Sequence, residues 1–329
     1  MDTEFNSNTA QTVANLVAKH IAPTALTLVD PVDGTTAPAF AIPGAGGGLL
    51  IKPVDEYFEP YRRHPIRRCG TAKMGDLLSF ISHVNRFATV ETALFANPNK
   101  SSPGLLAVLD YHQRVNVADA DKGAGAVSNP DAKPAFGWHR TEYKFPLSPE
   151  WKAWVGGNKS QMGQAAFAAF IEERILDVLP APVFGDDLSE ADLALKRLSD
   201  LLDGKWAGPE KMMELSRGLA IFESAKVINA TNINSGIGQI VFQTEQSDGD
   251  GQPLSVPNLF LIGIPVFENG APYRVIVRLR YRRQSGAIAW FYELYRHDKV
   301  FEDAFEGACA TARQGTGLPL FVGFPEDVA

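Results

Sequence analysis

Three residues of the types used by metal-dependent nucleases lie on two neighbouring predicted strands. Asp110 falls near the end of the apolar run 105–112, and Glu142 and Lys144 lie two residues apart on the next strand-like segment. A spacing of two places Glu142 and Lys144 on one face of a strand. Two carboxylates can hold Mg²⁺ while a lysine stabilises the attacking water or the phosphate. An aspartate bonded to backbone amides and a solvated Glu–Lys pair explain the same residues without catalysis.

A cluster of basic residues comes just before a predicted helix. Its members are Arg62, Arg63, His64, Arg67 and Arg68. Guanidinium groups favour paired hydrogen bonds to carboxylates and phosphates. The cluster therefore predicts contact with an acidic surface on a neighbouring subunit, contact with a nucleic-acid backbone, or a solvated loop.

The segment 273–283 alternates between apolar and basic residues, which is typical of a strand. Ser285-Gly286 can form a two-residue turn into the next strand, and this turn fixes the register of an antiparallel hairpin. The register makes one face of the hairpin apolar. That face consists of Leu279, Tyr281, Trp290 and Tyr292.

The opposite face of this hairpin carries Arg274, Arg278, Arg280 and Arg282. Arg278 is expected to pair with Glu293, and Arg280 is expected to lie over Phe291. The other two arginines, Arg274 and Arg282, are left without a partner. This face predicts contact with solvent or another subunit, and the alternative is a phosphate-binding surface.

Other familiar site motifs are missing from the sequence. The glycine-rich run 44–48 precedes a strand-like segment, so it does not place a helix N-terminus against a phosphate. The six histidines form no metal-binding motif, and no Gly-x-Ser-x-Gly elbow occurs. Cys69 and Cys309 form no Cys-x-x-Cys pair. We therefore expect no cofactor and no metal, and we assign no catalytic residue.

Hydrophobic periodicity predicts the elements that hold these residues. Helices are predicted over 9–20, 74–87, 161–179, 189–202, 209–217 and 298–313. Strands are predicted over 25–29, 38–42, 49–51, 105–112, 140–145, 221–228, 237–245, 256–267, 273–283, 287–296 and 318–322. We expect an α+β fold with an antiparallel C-terminal sheet, a long central helix and a C-terminal helix.

The predicted domain organisation has two parts. Residues 1–58 form an N-terminal helix and arm, and residues 59–329 form the main α+β domain, with an internal division near 146–160 as an open alternative. The segment 118–134 lacks periodicity and predicts a long surface loop.

Composition limits the classes of function. The 329 residues include 31 Lys and Arg against 38 Asp and Glu, which gives a formal charge of −7. This acidity excludes a generally basic nucleic-acid coat but leaves room for a local basic patch. No apolar run approaches the roughly 20 residues that span a bilayer, so no membrane contact is expected. The first residues carry no apolar signal core, which predicts a cytoplasmic location.

Several blocks of the sequence are similar to a known family. Residues 68–87, which begin Arg-Cys-Gly-Thr-Ala-Lys-Met-Gly-Asp, resemble the hallmark of the YfdQ-like proteins, a family of unknown function encoded by bacteriophages and prophages. Further similar blocks are 108–113, 147–154, 170–174 and 278–282. The resemblance implies a phage origin, and it brings no catalytic residues.

These observations favour a non-catalytic, self-assembling phage protein, a shell-like or ring homo-oligomer in the host cytoplasm or the virion. In this interpretation the partner or phosphate contacts come from the arginines Arg62, Arg63, Arg67, Arg68, Arg274 and Arg282. A nucleic-acid-handling accessory protein and a Mg²⁺-dependent nuclease are the alternatives. The mass of the protein in solution separates the first hypothesis from the others.

Overall fold

A computed structural model describes residues 9, 11–17, 22–31, 34, 36–43, 48–54, 61, 63–64, 67–114, 116–118, 126–128, 131–185, 188–221, 226–231, 238–243, 253–284 and 287–327. The chain divides into two units, Met1–Arg68 and Cys69–Ala329. The sequence interpretation places this boundary at residue 58, within the first unit.

The first unit contains a small antiparallel sheet. Residues 11–17 are helical, which agrees with the described part of the predicted helix 9–20. The sheet has the strand order β1-β2-β3. Its strands are β1 (Thr24–Val29), β2 (Thr36–Pro43) and β3 (Leu49–Pro53), so the three predicted strands are confirmed.

The second unit combines helices and sheets. Its helices are α1 (Leu77–Phe87), α2 (Pro149–Gly156), α3 (Gln164–Glu173), α4 (Glu190–Leu201), α5 (Pro209–Ile221) and α6 (His297–Thr316). Its strands are β4 (Gly70–Met74), β5 (Ala93–Asn97), β6 (Gly104–Val108), β7 (Asn116–Ala118), β8 (Ala126–Ser128), β9 (His139–Lys144), β10 (Val178–Leu179), β11 (Trp206–Ala207), β12 (Lys226–Thr231), β13 (Gly238–Gln243), β14 (Pro253–Val256), β15 (Leu259–Pro265), β16 (Pro272–Gln284), β17 (Ala287–Tyr295) and β18 (Leu320–Val322).

Two five-stranded sheets form the framework of the second unit. The first has the order β18-β5-β6-β9-β4, with parallel pairs at both ends and antiparallel pairs between them. The second has the antiparallel order β10-β15-β16-β17, and β11 adds to β15 in parallel. A smaller sheet β12-β13-β14 and the hairpin β7-β8 complete the described strands. The predicted α+β class with an antiparallel C-terminal sheet is confirmed.

The central helix is shorter than its predicted span 161–179. Helix α3 ends at Glu173, and a single 3₁₀ turn covers Ile175–Asp177. The last two residues of the predicted span, Val178 and Leu179, pair with β15 as strand β10. An apolar pair of this kind can be buried on a helix face or in a sheet, and the neighbouring strand decides between them.

One hydrophobic core extends across the second unit. It includes Phe80 and Leu105 from the region of the first sheet, and Phe260 and Tyr292 from the second sheet. Residues from both sides of the segment 146–160 share this core. The internal division near that segment stays a prediction.

Candidate functional site

The hairpin of β16 and β17 has the predicted register. Tyr281 lies opposite Trp290, and Leu279 lies opposite Tyr292. Trp290 and Tyr292 are fully buried, Leu279 is buried and Tyr281 is partly buried. The predicted apolar face is therefore the one that packs on the core. The turn residues 285–286 lie outside the described part of the chain.

The arginines on the other face of the hairpin pair differently from the prediction. Arg278 lies opposite Glu293 in the register, but Glu293 forms its ion pair with Arg280, with 3.0 Å between Nη1 and Oε1. The Arg280 guanidinium carbon also lies 5.7 Å from the centre of the Phe291 ring, as predicted. One arginine makes both contacts because diagonal neighbours on a sheet lie within reach of a long side chain.

Arg274 and Arg282 occupy different environments. The prediction that Arg274 has no partner is wrong, because its Nη1 lies 3.4 Å from Oδ1 of Asp192 on α4. This partner is remote in sequence, so strand register alone did not reveal it. Arg282 is exposed. Its assignment to a partner or phosphate contact stays a prediction.

The basic cluster before α1 is only partly described. Arg62 lies outside the described residues. Arg63, Arg67 and Arg68 are exposed, and Arg67 and Arg68 already interact with other groups. Contact of this cluster with a neighbouring subunit or with nucleic acid therefore stays a prediction.

Asp110 has a structural role at the end of the β6–β9 pair. Its two carboxylate oxygens accept hydrogen bonds from the backbone amides of Trp138 (3.2 Å) and His139 (3.0 Å). These bonds hold the loop that enters β9. A carboxylate used in this way has fewer free lone pairs for a hydrated metal ion.

Glu142 and Lys144 share a face of β9, as predicted, and form an ion pair with 3.6 Å between Oε1 and Nζ. They line a cavity of about 260 Å³ beside β5 and β6. Glu142 lies opposite Leu106 in the middle of β6, whereas Asp110 lies two residues beyond the end of that strand at Val108. The sheet therefore separates the residues of the nuclease hypothesis. Within the described residues, no group of three or more His, Cys, Asp or Glu side chains could hold a metal ion.

The other residues at the exit of β6 also tie loops together. The Tyr111 hydroxyl donates to both carboxylate oxygens of Glu326, at 2.9 and 3.1 Å. Nδ1 of His112 accepts from the backbone amide of Ala135 at 3.0 Å. Hydrogen bonds from its own backbone amide and from Tyr111 lower the pKa of Glu326, so this carboxyl group is ionised at neutral pH. The strand exit is therefore a hydrogen-bonded junction.

The sheet of the first unit presents an apolar face. Ala39 lies opposite Leu26, and Ala41 lies opposite Ile51, so the alternation of side chains places them together. We call this surface the assembly face, and it consists of Leu26, Leu28, Ala37, Ala39, Ala41 and Ile51. Leu28 is 41% exposed and Ile51 is 50% exposed. Among residues 22–54 whose side chains are described, only the two alanines Ala39 and Ala41 are buried.

Sequence reasoning missed this face, although a signal was present. The strands were predicted, and their alternation contains Leu26 and Leu28 on one side of β1. What the sequence did not show is how exposed the larger side chains of this face are, with Leu28 at 41% and Ile51 at 50%. It also missed a groove beside α4, because Arg197 and Arg296 come from separate elements.

The comparisons with known proteins identify a family. The family model described as "Uncharacterized conserved protein (DUF2303)" matches residues 12–325. The chain belongs to this family. The DUF2303 match includes the described residues of the assembly face and most of the second unit, so both units fall within one family pattern. No curated protein and no solved structure matches the chain. Among the described residues, no helix has the length and apolar character needed to cross a membrane.

Proposed function

We propose that this DUF2303 protein is a non-catalytic protein that assembles into a homo-oligomer, and that the assembly face makes the contact between copies. The observation that carries this proposal is the exposure of apolar side chains in the sheet of the first unit. Among the described side chains of this sheet, only Ala39 and Ala41 are buried. A three-stranded sheet gains stability by packing its apolar face on another layer. We infer that the missing layer is a second copy of the chain.

Charge restricts where two copies of the chain can meet. The chain carries a formal charge of −7, so two copies repel each other over most of their surface. The assembly face contains no charged residue, whereas the opposite face of the same sheet carries Lys52. Two identical apolar sheets can pack face to face around a two-fold axis, which closes the assembly without leaving an apolar layer exposed.

The described helix of the first unit adds to the apolar surface. Residues 11–17 include Val13, Leu16 and Val17, and each of these side chains is about half exposed. Their spacing forms a stripe on one side of the helix. The stripe enlarges the area that a second copy can bury.

The test changes single residues on either face of β1. Leu28→Asp places a carboxylate on the assembly face, and Thr27→Asp places the same group on the opposite face. Burying an unpaired carboxylate costs several kcal/mol, so Leu28→Asp should weaken association by about a hundredfold or more. Sedimentation velocity measures the species present. Thr27→Asp should sediment like the unaltered protein.

A fold control accompanies this experiment. Trp154 and Trp290 are buried in the second unit, so their fluorescence reports whether that unit stays folded in each variant. Dissociation of Leu28→Asp with unchanged fluorescence supports the proposal. If both variants and the unaltered protein sediment as the same associated species, this face is not the contact.

The proposal includes a phage origin. Its support is the resemblance of residues 68–87 and of the later blocks to the YfdQ-like proteins. The proposed location is the host cytoplasm, or the virion if the assembly becomes part of the particle. Mass spectrometry of particles released from a lysogen that carries the gene distinguishes these two locations.

A further inference from the structure

A groove of about 420 Å³ lies between helix α4 and strands β16 and β17 in the second unit. Its volume falls in the range of about 300–1,000 Å³ that is common for small-molecule sites. Ser189 caps the helix, because its hydroxyl accepts from the backbone amide of Asp192 at 3.2 Å. Helix α4, which forms one wall of the groove, therefore has a fixed start, and strands β16 and β17 form the other wall.

The floor of the groove is apolar and its upper part is unfilled. Leu195 is buried at the base, and Ile276 of β16 is partly buried beside it. Higher in the groove, Leu201 is 82% exposed and Tyr295 is 48% exposed. An apolar body placed here would remove these side chains from water, which is favourable in proportion to the area covered.

Every charged residue that lines the groove is an arginine. Arg197 comes from α4, Arg274 comes from β16, and Arg296 lies at the start of α6. The 3.4 Å contact with Asp192 fixes one end of the Arg274 guanidinium. This contact offsets one positive charge, and the residues that line the groove still carry a net positive charge.

We propose that this groove binds a small amphipathic carboxylate, an acid with an apolar chain or ring. The apolar floor would take the chain, and the arginines would bind the carboxylate through charge-assisted hydrogen bonds. An inorganic phosphate would leave the floor exposed to water. An apolar alcohol would leave the arginines without an anion.

The proposal does not depend on assembly of the protein. The lining residues all belong to the second unit, and none lies on the assembly face. A protein that proved to be monomeric would still have the groove. Failure of the ligand test would likewise leave the proposed oligomer unaffected.

The test uses decanoate below its micelle concentration, with decanol and decyltrimethylammonium as probes of matched chain length. Isothermal titration calorimetry of the full chain measures binding, and the shift of the thermal midpoint gives a second readout. Decanoate should bind and raise the midpoint, and decanol should bind at least about tenfold more weakly because it offers no charge. The cationic probe should not bind.

Two variants with the same charge change locate the site. Arg197→Glu alters the groove, whereas Arg282→Glu alters an exposed position on β16 that does not line it. Arg197→Glu should weaken decanoate binding by about tenfold or more, and Arg282→Glu should leave it unchanged. Ala194→Trp, which fills the groove from an exposed helix position, should abolish binding while the midpoint without ligand stays near that of the unaltered protein.

Four results would overturn the proposal. The first is the absence of decanoate binding by the unaltered protein. The second is equal binding of decanoate and decanol, which would remove the role of the arginines. The third is equal loss of binding in Arg197→Glu and Arg282→Glu, which would indicate general attraction to a basic surface. Binding of an acidic apolar peptide in preference to decanoate would likewise overturn it, and would indicate a protein partner.

Discussion

Replacing Gly157 by Ala should destabilise the second unit through one specific contact. Gly157 follows α2, and a Cβ added there would overlap the Tyr292 hydroxyl oxygen, closer than any real Cβ contact. Tyr292 is fully buried, and its hydroxyl donates to the backbone carbonyl of Trp154 at 2.7 Å. The backbone at Gly157 has φ −84 and ψ −5, a conformation that alanine adopts readily. The expected destabilisation therefore comes from the clash and not from backbone strain.

The magnitude follows from what the clash displaces. Forcing a methyl group into a packed core costs about 1–3 kcal/mol. Moving the hydroxyl also leaves the buried Trp154 carbonyl without its partner, which costs about 1–3 kcal/mol more. The free energy of unfolding should therefore fall by about 2–6 kcal/mol. Gly156→Ala is the matched control. Outside its chain neighbours and the backbone of its own helix, no atom lies within 4 Å of the added Cβ, so little destabilisation is expected.

A double-mutant cycle isolates the contact. Tyr292→Phe removes the hydroxyl, so Gly157→Ala should cost about 1–3 kcal/mol less in that background than in the unaltered protein. Urea unfolding followed by tryptophan fluorescence measures all four proteins. Additive effects would refute this reasoning, because they would show that the alanine does not meet the Tyr292 hydroxyl.

Three further predictions concern the core and the nuclease hypothesis. Trp290→Ala should lower the free energy of unfolding by about 3–5 kcal/mol, and an unchanged urea midpoint would contradict the burial of this side chain. Burial raises the pKa of the Asp177 carboxyl above its ordinary 3.8, against the opposing hydrogen bond from Trp154. The folded state then holds the proton more tightly, so stability should fall as pH rises through the raised pKa, and Asp177→Asn should flatten this part of the pH profile. The protein should not cleave DNA or RNA with Mg²⁺ or Mn²⁺, and cleavage that vanishes in Asp110→Asn and Lys144→Ala would restore the nuclease hypothesis.

The hairpin of β16 and β17 shows what local sequence can predict. The alternation of residues determines the register, because a slip of one residue would expose Trp290 and bury arginines. The two-residue turn predicted from the sequence agrees with this register, in which Gln284 pairs with Ala287. The cap of α4 is local in the same way, because the Ser189 hydroxyl accepts from the backbone amide of Asp192, three residues further along the chain.

Features that depend on remote neighbours were not predictable in the same way. Val178 and Leu179 fit a helical stripe as well as a strand, and only the presence of β15 decides between them. The partner of Arg274 comes from α4, which the strand register does not include. The assembly face and the arginine groove have the same origin, since each depends on which surfaces the rest of the fold covers.

Multi-angle light scattering of the unaltered chain tests the central claim most directly. The monomer has a mass of 35.8 kDa. An oligomer built through the assembly face predicts a single species at an integral multiple of this mass, at least twice the monomer value, at micromolar concentration. A species at the monomer mass under the same conditions would contradict assembly through this face.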